Sequence, residues 1–131
     1  MSPLIQVPEF VSLQEKYAVC RPVGEMTLER AVTAVDDALH YCFKNKIRGL
    51  LVNVSGTSGF PSPSLTDRFW YVTKWAETAR GRVVLSMVAP PFMVLPDKMG
   101  VTFASNRGLQ SDVFFDENEA VEWLCSVCKI K

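Results

Sequence analysis

The chain has 131 residues, 48% of them apolar and 21% charged, enough for one domain over residues 1–131 whose core needs no disulfide or metal staple. Lys plus Arg equals Asp plus Glu at 14 each; with no basic excess, nucleic acid is excluded as the main partner. Zero net charge does little to oppose self-association.

The opening Met1-Ser2-Pro3-Leu4-Ile5-Gln6-Val7-Pro8-Glu9 has no basic start followed by an apolar core, so no secretory leader is read in it. No apolar run nears the roughly 18 residues of a membrane span. Four cysteines do not make a disulfide framework in a chain of this size, and reduced thiols in a cytoplasmic protein are the expectation.

Pro3 and Pro8 interrupt any regular element at the start, leaving Leu4 to Val7 and Phe10 to Leu13 as short edge strands. Glu15 to Pro22 reads as a strand, with Tyr17, Val19 and Arg21 on one face and Ala18 and Cys20 on the other, before a turn at Gly24. Thr27 suits an N-cap, with Glu29 in the first turn. Behind it Leu28, Ala31, Val32, Val35, Leu39 and Cys42 recur at helical spacing, and the helix is expected to end near Asn45 or Lys46. Leu50 to Val54 is apolar except at Asn53, as in a central parallel strand covered on both faces.

A second helix is predicted after Pro63, capped by Ser62 or Ser64, with Leu65, Phe69, Val72, Ala76 and Ala79 as its buried stripe. Val83 to Val88 is the next buried strand. Pro90, Pro91 and Pro96 then forbid regular structure. Asp97 is expected to cap a short helix through Ala104 or Ser105, with Gly108 as its left-handed terminator. Val113 to Phe115 is a short strand, and Asp116 with Glu119 has capping-box spacing ahead of a last helix carrying Ala120, Val121, Leu124 and Cys128. Strand and helix alternate after an N-terminal strand or hairpin at the edge. That order predicts an α/β fold, a mostly parallel central sheet flanked by helices, with no internal repeat and no low-complexity linker.

This order of elements resembles the SpoIIAA-like group that includes STAS domains, and among them the small bacterial proteins described as STAS/SEC14-like. The likeness runs from about Tyr17 to Leu124. It is carried by Val52-Asn53-Val54-Ser55-Gly56 leading into Gly59-Phe60-Pro61-Ser62-Pro63-Ser64, by Val88-Ala89-Pro90-Pro91, by Asp97-Lys98-Met99-Gly100 and by Asn106-Arg107-Gly108-Leu109. It implies a non-enzymatic regulatory or protein-interaction module with no catalytic residues and no cofactor. In the anti-sigma-factor antagonists of this group, a serine in an Asp-Ser-Ser-Gly type motif at the start of the helix is phosphorylated. The resemblance therefore implies Ser62 or Ser64 as phosphoacceptor, although this chain has Phe60-Pro61-Ser62-Pro63-Ser64 there and Asn53 where an aspartate is common.

Ser55, Thr57, Ser58, Ser62 and Ser64 sit just before a predicted helix N-terminus, where free N–H groups and the dipole favour an anion. The plainer reading is that they turn the chain and cap the helix. The loop Pro90 to Leu95 should rise at the same sheet edge. Phe60 on one side and Phe92 or Met93 on the other would then wall an apolar crevice between residues 55–64 and 90–98, with Lys98 at its end. Those side chains folded back over the core are the alternative. Stepping from Leu65, Trp70 falls about 140° and Tyr71 about 120° off the stripe, with Lys74 between them. Exposed rings there point to an interface, expected to be that of a homodimer; a rim of rings over Lys74 is the alternative.

Cys125 and Cys128 have redox or zinc spacing, but they lie at a helix C-terminus, where the dipole disfavours a thiolate, and zinc would need further ligands. No metal site is assigned. His40, the only histidine, falls about 120° from the first helix's stripe, where no orienting partner is evident. Asp97 and Asp116 read as caps, and Asp67 with Arg68 as candidates for orienting a ligand. The expectation is an interaction module that docks another regulatory protein at the 55–64 and 90–98 edge. The rival is a small apolar ligand or lipid held between those loops.

Overall fold

The structure, a computed structural model, describes residues 7–94 and 98–129. The elements run β1 (Val11–Leu13), β2 (Ala18–Cys20), β3 (Gly24–Glu25), α1 (Leu28–Lys44), β4 (Gly49–Asn53) and β5 (Thr57–Ser58). They continue with α2 (Leu65–Ala79), β6 (Val84–Val88), a 3-10 turn at Pro91–Met93, α3 (Met99–Asn106), β7 (Ser111–Phe114) and α4 (Glu117–Cys128). The expected Leu4 to Gln6 part of an edge strand and the cap at Asp97 lie outside the described residues.

The fold is α/β. One five-stranded sheet has the order β1-β2-β4-β6-β7. Only β1 is antiparallel, pairing Val11 with Cys20; β2, β4, β6 and β7 are parallel neighbours. β4 is a continuous apolar run because both of its faces are covered. Leu50 and Val52 face the cluster built with α1, α2 and α3, whereas Leu51 faces the cluster built with α4. The same alternation splits β2, where Ala18 and Cys20 pack on one side and Val19 on the other.

Caps place the helices. Thr27 Oγ1 accepts from the Arg30 N–H at 3.1 Å. Ser64 Oγ accepts from Asp67 at 3.0 Å while the Asp67 carboxylate accepts from the Ser64 N–H at 3.4 Å. The reciprocal capping box thus forms at Ser64 and Asp67, and Asp116 caps α4 through the Glu119 N–H at 3.2 Å. Two buried side chains tie the layers: Trp75 Nε1 donates to the Val32 carbonyl at 3.1 Å, joining α2 to α1. Ser86 Oγ donates to the Ala120 carbonyl at 2.8 Å, joining β6 to α4. Both satisfy polar atoms that burial would otherwise penalise.

Three expectations need correction. The strand read over Glu15 to Pro22 is laddered only at Ala18–Cys20, because Glu15 and Lys16 are exposed and Pro22 has no N–H to donate. The stripe of α2 is rotated: Leu65 and Phe69 are 53% and 44% exposed, and Arg68, Val72, Trp75, Ala76 and Ala79 point inward. Phe69 instead packs edge-on against Phe103 of α3 at 5.7 Å, so the first turn of α2 meets a helix rather than the sheet. Finally, α3 has Lys98 at its N-cap, in the left-handed region at φ 50° and with no side-chain cap bond.

The connection after β4 carries an element that periodicity missed, β5, which pairs in parallel with β3. Gly59 ends it at φ +101°, and a Cβ there would meet the Met26 carbonyl oxygen at 2.6 Å. Gly59→Ala should therefore lower stability by more than ~1 kcal/mol, whereas Gly100→Ala, in a helix with open space around it, should be neutral or slightly stabilising. Urea unfolding of the two variants checks this, and equal midpoints would contradict the packing described.

Candidate functional site

The register of β4 on β6 runs from Gly49 opposite Val84 to Asn53 opposite Val88, so both strands end at one edge of the sheet. The ladder continues past them: the Val54 N–H donates to the Val88 carbonyl and the Ala89 N–H to the Phe114 carbonyl, both at 3.0 Å. The serine-rich connection and the proline-rich connection therefore leave side by side. This is where open α/β sheets present their crevices.

Below that edge, on the α2 and α3 side, lies a cavity of about 90 Å³. Its walls are mostly apolar, from Val72 and Trp75 of α2, Leu85 and Met87 of β6, and Val101 and Ala104 of α3. Its polar groups are few. Arg68 and Tyr71 enter from α2, and Lys98, Ser111 and Asp112 lie on the α3 and β7 side.

Arg68 is only 6% exposed. Its Nε donates to the Pro63 carbonyl at 3.1 Å and its Nη2 to Ser62 Oγ at 3.0 Å, two of the five N–H donors a guanidinium carries. Among the described residues no carboxylate pairs with it. Tyr71, whose ring lies 4.6 Å from that of Trp75, has its pKa raised by burial, partly offset by the nearby Arg68 charge, and stays a neutral phenol. Lys98 Nζ donates to Asp112 Oδ1 at 2.9 Å, and the same oxygen accepts from the Val113 N–H at 2.7 Å.

The structure distributes the expected site residues unevenly. Met93 and Lys98 line the cavity. Ser62 touches it indirectly, as the acceptor for Arg68, and Ser64 is the N-cap of α2. Ser55, Ser58, Phe60 and Phe92 are not among its lining residues; Phe92 is 68% exposed. Ser58 is drawn away by the β3 pairing.

Trp70 is exposed at 44%. Tyr71, expected to be exposed, is turned inward, because the rotation that exposes Leu65 brings position 71 to the cavity wall. Lys74 lies in a surface groove with His40 and Glu77. Asp67 is occupied by the capping box. Arg68, its neighbour, is the residue that reaches the cavity.

The opposite side of the same strand ends carries a polar network that sequence reading missed, since its members are far apart in the chain. Arg21 grips the Glu117 carboxylate with two N–H groups, at 2.7 Å and 3.3 Å. Asn53 Nδ2 donates to Glu117 at 3.1 Å and Asn53 Oδ1 accepts from the Ser55 N–H at 2.9 Å. The hydrogen bonds from Arg21 and then Asn53 hold the Glu117 carboxyl below its ordinary value.

Cys20 and Cys42 are core side chains. Burial pushes Cys20 and Cys42 up to about 12, which removes thiolate reactivity. Burial also raises Cys128, in the last turn of α4.

No family model matches the chain, and no curated protein matches it at a significant level.

Because the Glu117 pKa is lower in the folded chain than in the unfolded one, its contribution is complete above the unfolded value of about 4.5. It is lost as pH falls through the folded value. Arg21 and Glu117 are both partly exposed, so the contribution is on the order of 0.5 kcal/mol. Glu117→Gln should flatten the acid limb of the stability profile below pH ~5 by that amount. Parallel profiles for variant and wild type would contradict the network.

Proposed function

We propose that the chain is a non-enzymatic binding module of SpoIIAA-like, STAS type that holds a small, largely apolar ligand in the cavity between α2, α3 and the β6–β7 half of the sheet. The observation that carries this reading is the cavity itself, apolar on most of its wall and with few polar groups converging on it, which is the usual make-up of a ligand pocket. Its place supports the same reading: it lies on the helix-covered face below the edge where β4 and β6 end together. The order of elements and the two adjacent connections support the SpoIIAA-like assignment. At about 90 Å³, the room of roughly three water molecules, the cavity suits a compact ligand better than a lipid chain.

The first expectation, a regulatory module docking another protein or a second copy of itself, stays as a second reading. It is favoured by the apolar side chains left exposed on α2 and the following turn: Leu65, Phe69, Trp70 and Phe92. For a phospho-switch within that reading, Ser62 is a better acceptor than Ser64. Ser62 is exposed and faces Arg68, which would bind a phosphate, while the Ser64 hydroxyl is committed as a cap. No helix among the described residues is long and apolar enough to cross a membrane.

Xenon, which enters small dry apolar cavities, tests the pocket without knowledge of its ligand. Under xenon pressure the methyl resonances of Val72 and Leu85 should shift in the wild type and not in Val101→Trp, which fills the space. Shifts confined to other residues, or none, would overturn the ligand-binding reading.

A further inference from the structure

We infer that the cavity ligand is a small monoanion, a carboxylate on a compact apolar body, and that Arg68 and Tyr71 read its head group. This rests on the ligand-binding reading above and deepens it.

Burying Arg68 is costly. A guanidinium that is 6% exposed has lost most of its hydration, which is unfavourable unless a counter-charge replaces it. The carboxylates of the described residues do not supply one. Asp67, next in the chain, is tied to the Ser64 N–H. Asp112, which also lines the cavity, is neutralised by Lys98 and by the Val113 N–H. Among the described residues, Arg68 and Lys98 against Asp112 leave the cavity wall with one positive charge in excess.

Position adds to that charge. Arg68 is the fourth residue of α2, in the first turn, where the helix dipole is positive and a cation is disfavoured. A residue that is buried, unpaired with any carboxylate among the described residues and at the wrong end of a helix is a poor choice for stability. An anion in the cavity removes all three penalties at once.

The neighbours suit a carboxylate. Arg68 keeps a fixed orientation through Pro63 and Ser62, with further N–H donors for a planar, bidentate acceptor. Tyr71, held neutral by burial, has a hydroxyl to donate beside it. The remaining wall is apolar and small, so a phosphate dianion or a long acyl chain is a poor match to a single excess charge and about 90 Å³.

The test titrates the full chain with acetate and propionate, which match a space of about 90 Å³, and with their neutral amides, by calorimetry near pH 7. The carboxylates should bind at least ~10-fold more tightly than the amides, the usual scale of a charge-assisted hydrogen bond. Arg68→Met should abolish the preference and Arg68→Lys should keep part of it. Equal affinity for acids and amides would overturn the anion inference and leave the cavity reading intact. An acid preference that survives in Arg68→Met would remove the role of Arg68. If neither acids nor amides bind the wild type, the inference fails; a positive xenon result would then show that its failure does not extend to the cavity. The comparison of acid with amide on the wild type decides the matter even if the Arg68 variants fail to fold.

Discussion

The parallel pairing of Gly49–Asn53 with Val84–Val88 is the constraint on which the rest depends. Parallel strands must be joined by a crossover, and here α2 supplies it. Because the pairing is in register over five residues, the chain leaves both strands at one level and turns toward the same helical layer. Everything of functional interest is set by that geometry. The N-terminus of α2 is brought to the strand ends, the turn at Pro91–Met93 is set beside it, and the space between them is closed by α3. A slip of one residue would exchange Leu51 with Leu50 and Val52, reversing which cluster each enters. Both faces of β4 are filled by fitted helices, so the register has little freedom.

Within this frame, α2 bears the main compromise. Its sequence offers two candidate inward faces. One is led by Leu65 and Phe69, the other by Arg68, Val72 and Trp75, and the chain adopts the second. Trp75 decides the matter: its ring is buried and its indole N–H reaches the Val32 carbonyl, an anchor that the first face lacks. Turning Trp75 inward brings Arg68 and Tyr71 with it, since i, i+3 and i+7 share one side of a helix. A large ring that must be buried has thus carried a charge into the interior. The apolar Leu65 and Phe69 are turned outward in exchange.

This explains why the fold was readable in the sequence and the site was only partly so. Helix α1 announces itself through Thr27, an unbroken 3.6-residue stripe and Asn45, and each of these local signals agrees with the tertiary structure. Strand β4 is legible because an apolar run of that length has few other uses. Helix α2 misled because Leu65 and Phe69 offer a more apolar lead than Arg68, and the face adopted depends on a hydrogen bond across 43 residues of sequence. Longer separations still, 96 residues for Arg21 to Glu117 and 64 for Asn53 to Glu117, hid the second network. The serines were easy to notice, but most of them cap or turn the chain. The group that enters the cavity is the arginine beside them, which the sequence offered only together with Asp67 as a candidate for orienting a ligand.

The two faces of the strand ends differ in a way that bears on function. On the α4 side, Arg21, Glu117, Asn53 and the Ser55 N–H are linked in a chain of hydrogen bonds in which the anion is paired with a cation and an amide. That side has the character of a paired structural joint, partly open to solvent. On the α2 and α3 side, a buried cation and a neutral phenol face an apolar hollow, and the described residues supply no anion to complete them. Both arrangements hang on the same strands, but the Arg21 pair is partly open to solvent whereas Arg68 is buried. Buried polar groups are normally paired, and one paired face beside one unpaired face locates the incomplete half. An anion arriving from solvent would do for Arg68 what Glu117 does for Arg21, and it would do so in a drier place, where the same interaction is stronger.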